Sequence, residues 1–266
     1  MNIIRKIFIL IFFATKVLNA FAQNDFCNTE NRCLQSEEVL KFKVYYNLSA
    51  LWVGAGEASF STQAETLNGR TVFHITGLGV TYSSYDWIFK VRDKYETYID
   101  AKTLLPVLFI RNVNEGGYKF TNHVNFDQEK HTALSEKKHF DVPNCVQDVL
   151  SAIYYARNID YNQYKTGTKI PFSMFLDDNI YSLYIRYIGK EKVTTKYGTF
   201  NAIKIAPLLI KGTIFKGGED MVVWVSDDKN HIPLRVSSPI LVGSVKVDMM
   251  SYDHLKYPLS SLIKKR

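Results

Sequence analysis

The residues of this 266-residue chain best suited to chemistry are six histidines, three cysteines and a group of carboxylates set among aromatic side chains. His74, His123, His131, His139, His231 and His254 stand singly. Three of them, His123, His131 and His139, recur at eight-residue spacing, which strand alternation can use to bring two of them to one face of adjacent strands but which matches no metal-ligand pattern. The chain contains no G-x-S-x-G elbow, no H-E-x-x-H pair and no close histidine–cysteine pairing, so the usual marks of serine, zinc and thiol hydrolases are missing. No metal and no cofactor is expected.

Carboxylates remain. A pair at the right separation is what glycoside hydrolysis needs, and Asp86, Asp93, Glu115 and Asp148 are the candidates for an enzyme acting on envelope glycans. Asp227-Asp228 suits a turn without any catalytic role. Asp86-Trp87 and Lys90 to Asp93 lie in a long connection that mixes polar and aromatic residues, as the rim of a binding site requires. A structural network of Arg92, Asp93 and Arg157 accounts for some of the same residues. Aromatic residues make up 14% of the chain, and on the concave face of a curved sheet they would hold an acyl chain or stack a sugar. The expected ligand-binding residues are Tyr85, Trp87, Asp93, Asp148, Tyr155, Arg157 and Trp224, with no catalytic residue among them.

Most of these residues must be positioned by strands. Short runs alternate from Leu40 to Leu48, Trp52 to Thr62 and Thr71 to Leu78, with Asn68-Gly69 as a strong hairpin signal between the last two. Further strands are expected near Tyr95, at Leu105 to Val113, Tyr118 to Phe126, Thr132 to Phe140, Lys169 to Leu176 and Tyr181 to Gly189. The last are Phe200 to Leu209, Met221 to Ser226, Leu234 to Ser237 and Val242 to Met250. One hairpin pattern occurs twice, Tyr98 to Pro106 and Trp224 to Pro233: aromatic, β-branched, acidic turn, lysine, then a proline that opens the next strand.

The one long helical pattern is Val142 to Asp160. Val146, Val149, Leu150, Ile153 and Tyr154 fall at offsets of three and four, Asn144 and Gln147 offer a capping box, and Asn158 a stop. The helix is therefore expected from about Cys145 to Asn158, packed on the sheet. Asp148 and Arg157 point away from each other. The Arg157 stem would pack while its head meets the helix end or a carboxylate from the sheet.

Met1 to Gln23 reads as a secretory leader, with Arg5 and Lys6 before an apolar run and Ala20-Phe21-Ala22 as the cleavage site. Residues 1–22 are expected to be removed, leaving a single β-rich domain over 23–266. Loss of Arg5, Lys6 and Lys16 lowers the net charge from +7 by three to +4. That balance gives no case for nucleic-acid binding, and no transmembrane segment remains after cleavage. No cysteine follows the cut directly, so a soluble exported protein of the periplasm or envelope is expected rather than a lipid-anchored one. In an oxidising compartment Cys27 and Cys33 are expected to pair, leaving Cys145 at the helix start, either reactive through the helix dipole or buried.

The stretches YDWIFKVRDKYETYID (Tyr85 to Asp100), NEGGYKF (Asn114 to Phe120), QDVLSAIYYAR (Gln147 to Arg157), GTFNAIKIAP (Gly198 to Pro207) and WVSDDKNHIPLRV (Trp224 to Val236) together resemble an exported bacterial family, the domain-of-unknown-function 3108 family. The leader's Ala-Phe-Ala-Gln resembles exported proteins of the Bacteroidetes. The resemblance implies no activity. The hairpin pattern is similar to that of periplasmic lipoprotein carriers, curved antiparallel sheets whose helices close over an apolar cavity; this chain has one clear helix where those carriers have more. The fold expected is mainly β, a large curved antiparallel sheet or open barrel with one principal helix. The leading expectation is non-catalytic binding of a lipid-like amphiphile between sheet and helix. The alternatives are the glycan hydrolase and a structural module that engages an envelope protein through a free sheet edge.

Overall fold

The computed structural model describes residues 27, 30–48, 51–87, 89–136, 138–211 and 217–266. The leader and its cleavage site lie outside the described residues. Alternating side chains build β1 (Val39–Leu48), β2 (Leu51–Leu67), β3 (Arg70–Thr81), β4 (Arg92–Asp100), β5 (Pro106–Glu115), β6 (Tyr118–Asp127), β7 (Thr132–Ser135) and β8 (Lys138–Asp141). Helix α1 (Val149–Ala156) follows, and then β9 (Lys169–Leu176), β10 (Asn179–Thr194), β11 (Gly198–Pro207), β12 (Val222–Ser226), β13 (Pro233–Pro239), β14 (Ser244–Asp253) and β15 (Leu262–Lys265).

Two antiparallel meanders, β1 to β8 and β9 to β14, are joined into one fifteen-stranded sheet because β1 pairs with β14. The free edges are thus β8 and β9, and side chains draw them together: Phe140 and Phe175 lie 5.2 Å apart between ring centres, and Lys138 reaches Asp178 at 3.6 Å. The chain between β8 and α1 lies along the β9 edge, where the Gln147 amide donates to the Ser173 carbonyl and the Phe175 amide to that of Gln147. Such cover removes the unpaired N–H groups that make an edge sticky. The result is the open, barrel-like sheet expected.

Asn68 and Gly69 both take positive φ, 50° and 78°, as the tight β2–β3 hairpin requires. The repeated hairpins, β4–β5 and β12–β13, prove to be built alike. Ile99 pairs with Pro106 and Val225 with Pro233, each beside a one-residue register shift, and Leu104 and His231, two residues ahead of each proline, have φ of 58° and 44°. Proline, lacking an N–H, opens the second strand in both.

Helix α1 is shorter than its periodicity suggests and starts later. Its N-cap is Asp148, whose carboxylate accepts from the Leu150 and Ser151 amides, while the Ser151 hydroxyl accepts from the Asp148 amide. This capping box displaces the expected Asn144–Gln147 box because β9 recruits the Gln147 backbone and Cys145 sits at φ 57°. Leu150, Tyr154 and Tyr155 are buried among Phe73, Ile75, Phe109 and Phe175. Gly77 makes room for this layer, since a Cβ there would come within 3.0 Å of Phe60 and 3.6 Å of Leu150. A second core joins β1, β10, β11, β13 and β14 through Leu40, Phe42, Val193, Phe200, Leu234 and Met249.

The disulfide is corrected. Cys27 bonds to Cys145, with 5.3 Å between their Cα atoms, and Cys33 is a buried free thiol. The Cys33 amide donates to the Asn158 side chain and its thiol to the Arg157 carbonyl, which holds it inside the core and away from Cys27. Burial pushes that thiol up to about 11. The expected Thr132–Phe140 strand is interrupted by Glu136 at φ 53° and becomes β7 and β8, and β15 was not foreseen.

Candidate functional site

Strand alternation sorts the connections to two ends of the sheet. One end carries the β1–β2 tip, the β3–β4 connection (82–91), the β5–β6, β7–β8, β9–β10 and β13–β14 turns and the β11–β12 connection. The other carries the two proline hairpins, the β10–β11 turn and both chain segments that flank α1. Among the described residues twelve large apolar side chains stay exposed, and eleven of them belong to the first end. Leu51 and Trp52 (75% and 42% exposed) with Val53 form the β1–β2 tip; Leu241 and Val242 form the adjacent β13–β14 turn; Trp87 (83%) and Phe89 stand on the β3–β4 connection. Tyr118 and Ile180 begin strands there, and Leu78 and Val80 end β3. Burying aromatic and aliphatic groups is the main source of fold stability, and eleven of the twelve left exposed among the described residues lie at this end.

Cations accompany the tip. The Lys246 ammonium lies 4.6 Å from the Trp52 ring centre and 5.0 Å from that of Tyr45, and Lys43 lies 5.8 Å from Tyr45 and 5.6 Å from Tyr82; Lys196, although carried by the β10–β11 turn, comes within 5.3 Å of the Tyr45 ring. None of the three lysines has a carboxylate in salt-bridge range among the described residues. Glu57, opposite Lys43 in the register, is held by the Tyr82 hydroxyl at 3.0 Å, and Asp248 by Arg235 at 2.6 Å. Among the described residues the buried Tyr45 hydroxyl has no hydrogen-bond partner.

Just inside the same end, β4 and β5 place Asp93 and Glu115 in contact. The Asp93 carboxylate accepts from the Asn114 amide at 2.8 Å, and burial with a hydrogen bond to Asp93 pushes Glu115 up to about 7. Arg111 beside them pairs with Asp177 of the β9–β10 turn, a strap from β5 across the opening. The two carboxyls, hydrogen-bonded to each other, stand closer than the ~5 Å of retaining or ~6.5 Å and more of inverting glycosidases. Asp86 is bound to Thr81 (2.8 Å) and Arg92 (2.7 Å). Asp148 is buried beneath the sheet, accepting from the Thr97 hydroxyl at 2.6 Å as well as capping α1; burial pushes it up to about 6 against those donors. Asp86, Asp93 and Asp148 are thus each engaged in structural contacts, while Glu115 is hydrogen-bonded to Asp93.

Of the expected ligand-binding residues, Tyr85, Trp87 and Asp93 belong to this end, and the others are elsewhere. Tyr155 and Asp148 are inside the helix–sheet core, fully covered. Arg157 grips Glu38 with two bonds, 2.6 and 2.8 Å, and donates to the Asn230 carbonyl at 3.2 Å. The expected network of Arg157 with Arg92 and Asp93 does not form: its carboxylate partner flanks β1, because α1 ends over that strand's start. Trp224 donates to Glu191 at 2.6 Å beneath Lys204. Sequence reasoning missed the lysine–Trp52 corner. Its signal was the aromatic–lysine alternation of Lys41 to Tyr45 leading into Leu51-Trp52-Val53.

At the opposite end lies a cleft of about 670 Å³ between the end of α1, the β12–β13 hairpin and residues 256–260. Two of the family-like stretches meet there, Gln147 to Arg157 through Arg157 and Trp224 to Val236 through Asp227, Asp228, Lys229 and His231, a product of the fold, since they are distant in sequence.

A family model described as a protein of unknown function, DUF3108, matches residues 41–250. The chain belongs to the DUF3108 family. No curated protein sequence matches this DUF3108 chain. Among solved structures it is similar to a β-barrel-like protein of the domain of unknown function DUF1849 from Brucella abortus, at TM-score 0.55 and 10% identity over 83% of this chain and 98% of that one. Looser likenesses are a lipoprotein candidate from Parabacteroides distasonis (TM-score 0.39, 16% identity, 85% and 99% covered) and an exported-protein candidate with a YmcC-like fold from Bacteroides fragilis (0.32, 11%, 85% and 99%). The first establishes the barrel-like fold of the DUF3108 chain and nothing of its activity. Among the described residues no helix is long and apolar enough to cross a membrane.

Proposed function

We propose that this DUF3108 protein is exported and acts in the cell envelope as a non-catalytic binder of an amphiphile. The observation that carries the reading is the gathering of exposed apolar side chains at one end of the sheet, with the Lys43 and Lys246 ammonium groups at that end. Acyl chains match the aliphatic tips; an anionic head matches the lysines, and indole and phenol rings favour the boundary between the two. The expected site between sheet and helix is filled by Leu150, Tyr154, Tyr155 and the aromatic layer around them, which corrects that expectation and leaves the rim as the surface proposed for the ligand. The leader Met1 to Ala22 supports export, and the Cys27–Cys145 disulfide suits an oxidising compartment.

Native mass spectrometry of the protein purified gently from envelope extracts tests this reading. A bound lipid-sized mass that organic solvent releases is the expected result, with an N-terminus at Gln23. An apo mass under every extraction condition would contradict it.

A further inference from the structure

We infer that the cleft at the C-terminal end of α1 is a second binding site, for a hydroxylated ring compound bearing an oxyanion, a sugar phosphate or a sugar acid. It is independent of the rim and of the amphiphile reading. Of the cations lining this cleft, Arg157 is neutralised by Glu38, while Arg32, Lys229 and Lys256 have no carboxylate in salt-bridge range among the described residues. Lys229 and Lys256 flank one ring, their ammonium groups 5.3 and 5.8 Å from the centre of Tyr257. Two charges held on one aromatic platform define where an oxyanion would sit.

The acids facing the cleft are already engaged. Asp227 is paired with Lys190 at 2.8 Å; Asp228 accepts from the Ser226 hydroxyl and from the Asn230 and Ser261 amides; Asp160 accepts from the Asn162 amide and side chain. Asp228 and Asp160 keep their charge while accepting from neutral donors, and Arg32, Lys229 and Lys256 are left without a carboxylate in salt-bridge range among the described residues.

His231 supplies the hydroxyl recognition. A carbonyl oxygen only accepts, so the 2.8 Å contact with the Arg157 carbonyl fixes the proton on Nδ1. In the neutral ring Nε2 is then a lone-pair acceptor, and burial lowers the His231 pKa, keeping the ring neutral. The imidazole is packed edge-on against Tyr161, 5.7 Å between ring centres, so its orientation is set before any ligand arrives. The left-handed φ of 44° at His231 belongs to the proline hairpin, which therefore aims this side chain. The equivalent hairpin has Leu104 at that position, fully buried; the same turn has been given a polar group only where it borders the cleft. A cationic pair of lysines and a neutral acceptor lining one cleft select a ligand that has both an anionic group and hydroxyl donors.

Isothermal titration of the mature protein with glucose 1-phosphate, glucuronate, glucose and inorganic phosphate, together with the His231 ring shifts by NMR, tests the assignment. Expected is saturable binding of one anionic sugar, with at least about tenfold weaker binding of glucose and of phosphate alone. Glucose 1-phosphate binding marks a phosphate head, and glucuronate binding a carboxylate. K229A/K256A should weaken the anionic sugar by at least about tenfold, while H231F should erase the preference over inorganic phosphate. Unchanged melting of both variants separates loss of binding from loss of fold. No binding of either anionic sugar, equal binding of glucose, or binding indifferent to K229A/K256A overturns the assignment.

Discussion

Replacing Glu38 with glutamine should unfold this protein more readily than any comparable surface change. The carboxylate and the Arg157 guanidinium are 1% and 2% exposed and joined by two bonds of 2.6 and 2.8 Å. E38Q keeps the shape and an acceptor but strands a buried cation that cannot lose its proton, a cost of about 3–5 kcal/mol. R157M strands the carboxylate, which can protonate, and also gives up the bond to the Asn230 carbonyl and the stacking on Tyr154. It should cost about the same. The double variant E38L/R157M leaves no buried charge, so its loss should fall well short of the sum, with a coupling of about 2 kcal/mol or more. Urea unfolding followed by tryptophan fluorescence reads all three, and about 3 kcal/mol corresponds to roughly 6–12 °C in melting temperature for a chain of this size. The reasoning fails if E38Q costs less than about 1 kcal/mol, or if the single losses simply add, since either would mean that water reaches the pair.

Reduction of the Cys27–Cys145 disulfide, which spans 118 residues, should destabilise by about 2–5 kcal/mol, read as a lower urea midpoint in a thiol reductant; an unchanged midpoint contradicts the pairing. D148A removes both the helix cap and the acceptor of the Thr97 hydroxyl and should cost about 2–3 kcal/mol by the same assay, against about 1 kcal/mol for D148N, which still caps. The Asp148 and Glu115 carboxyls have native pKa values of about 6 and 7, above their unfolded values of 3.8 and 4.5. The native state therefore holds these protons more tightly, so the stability they contribute is complete below about pH 4 and is lost as pH rises to about 7. Asp148 alone accounts for about 3 kcal/mol of that change, and half-exposed Glu115 for less after screening; melting across pH 4–8 should show D148N with a flatter profile than the parent. A parent profile that rises monotonically through that window refutes it.

Strands were legible wherever a segment alternates between one buried and one wet face. Lys169–Leu176 has the expected bounds, and Asn68-Gly69 turns where a left-handed pair is needed. What escaped was set by partners far along the chain. β15 exists because Gly198 to Phe200 offers Leu262 to Lys265 an edge, and nothing local announces that. The helix start moved because the β9 edge claimed the Gln147 backbone, overriding a serviceable local cap. Cys33 looked close enough to Cys27 to pair until Asn158 and the Arg157 carbonyl drew it inward. At the candidate site, Tyr85 and Trp87 could be picked out as aromatic residues in a long polar connection. The Trp52–Lys246 contact needed the β1–β14 pairing, which joins the two meanders edge to edge, to bring it together.

Flotation with lipid vesicles tests the rim most directly. The mature protein should float with vesicles containing anionic phospholipid and far less with purely zwitterionic ones. L51D/V242D should abolish binding, and K43A/K246A should weaken it by about thirtyfold, at about 1 kcal/mol for each lysine near the surface, with melting temperatures unchanged. Failure of the parent protein to float with either vesicle, or flotation that persists in L51D/V242D, would contradict an amphiphile-binding rim.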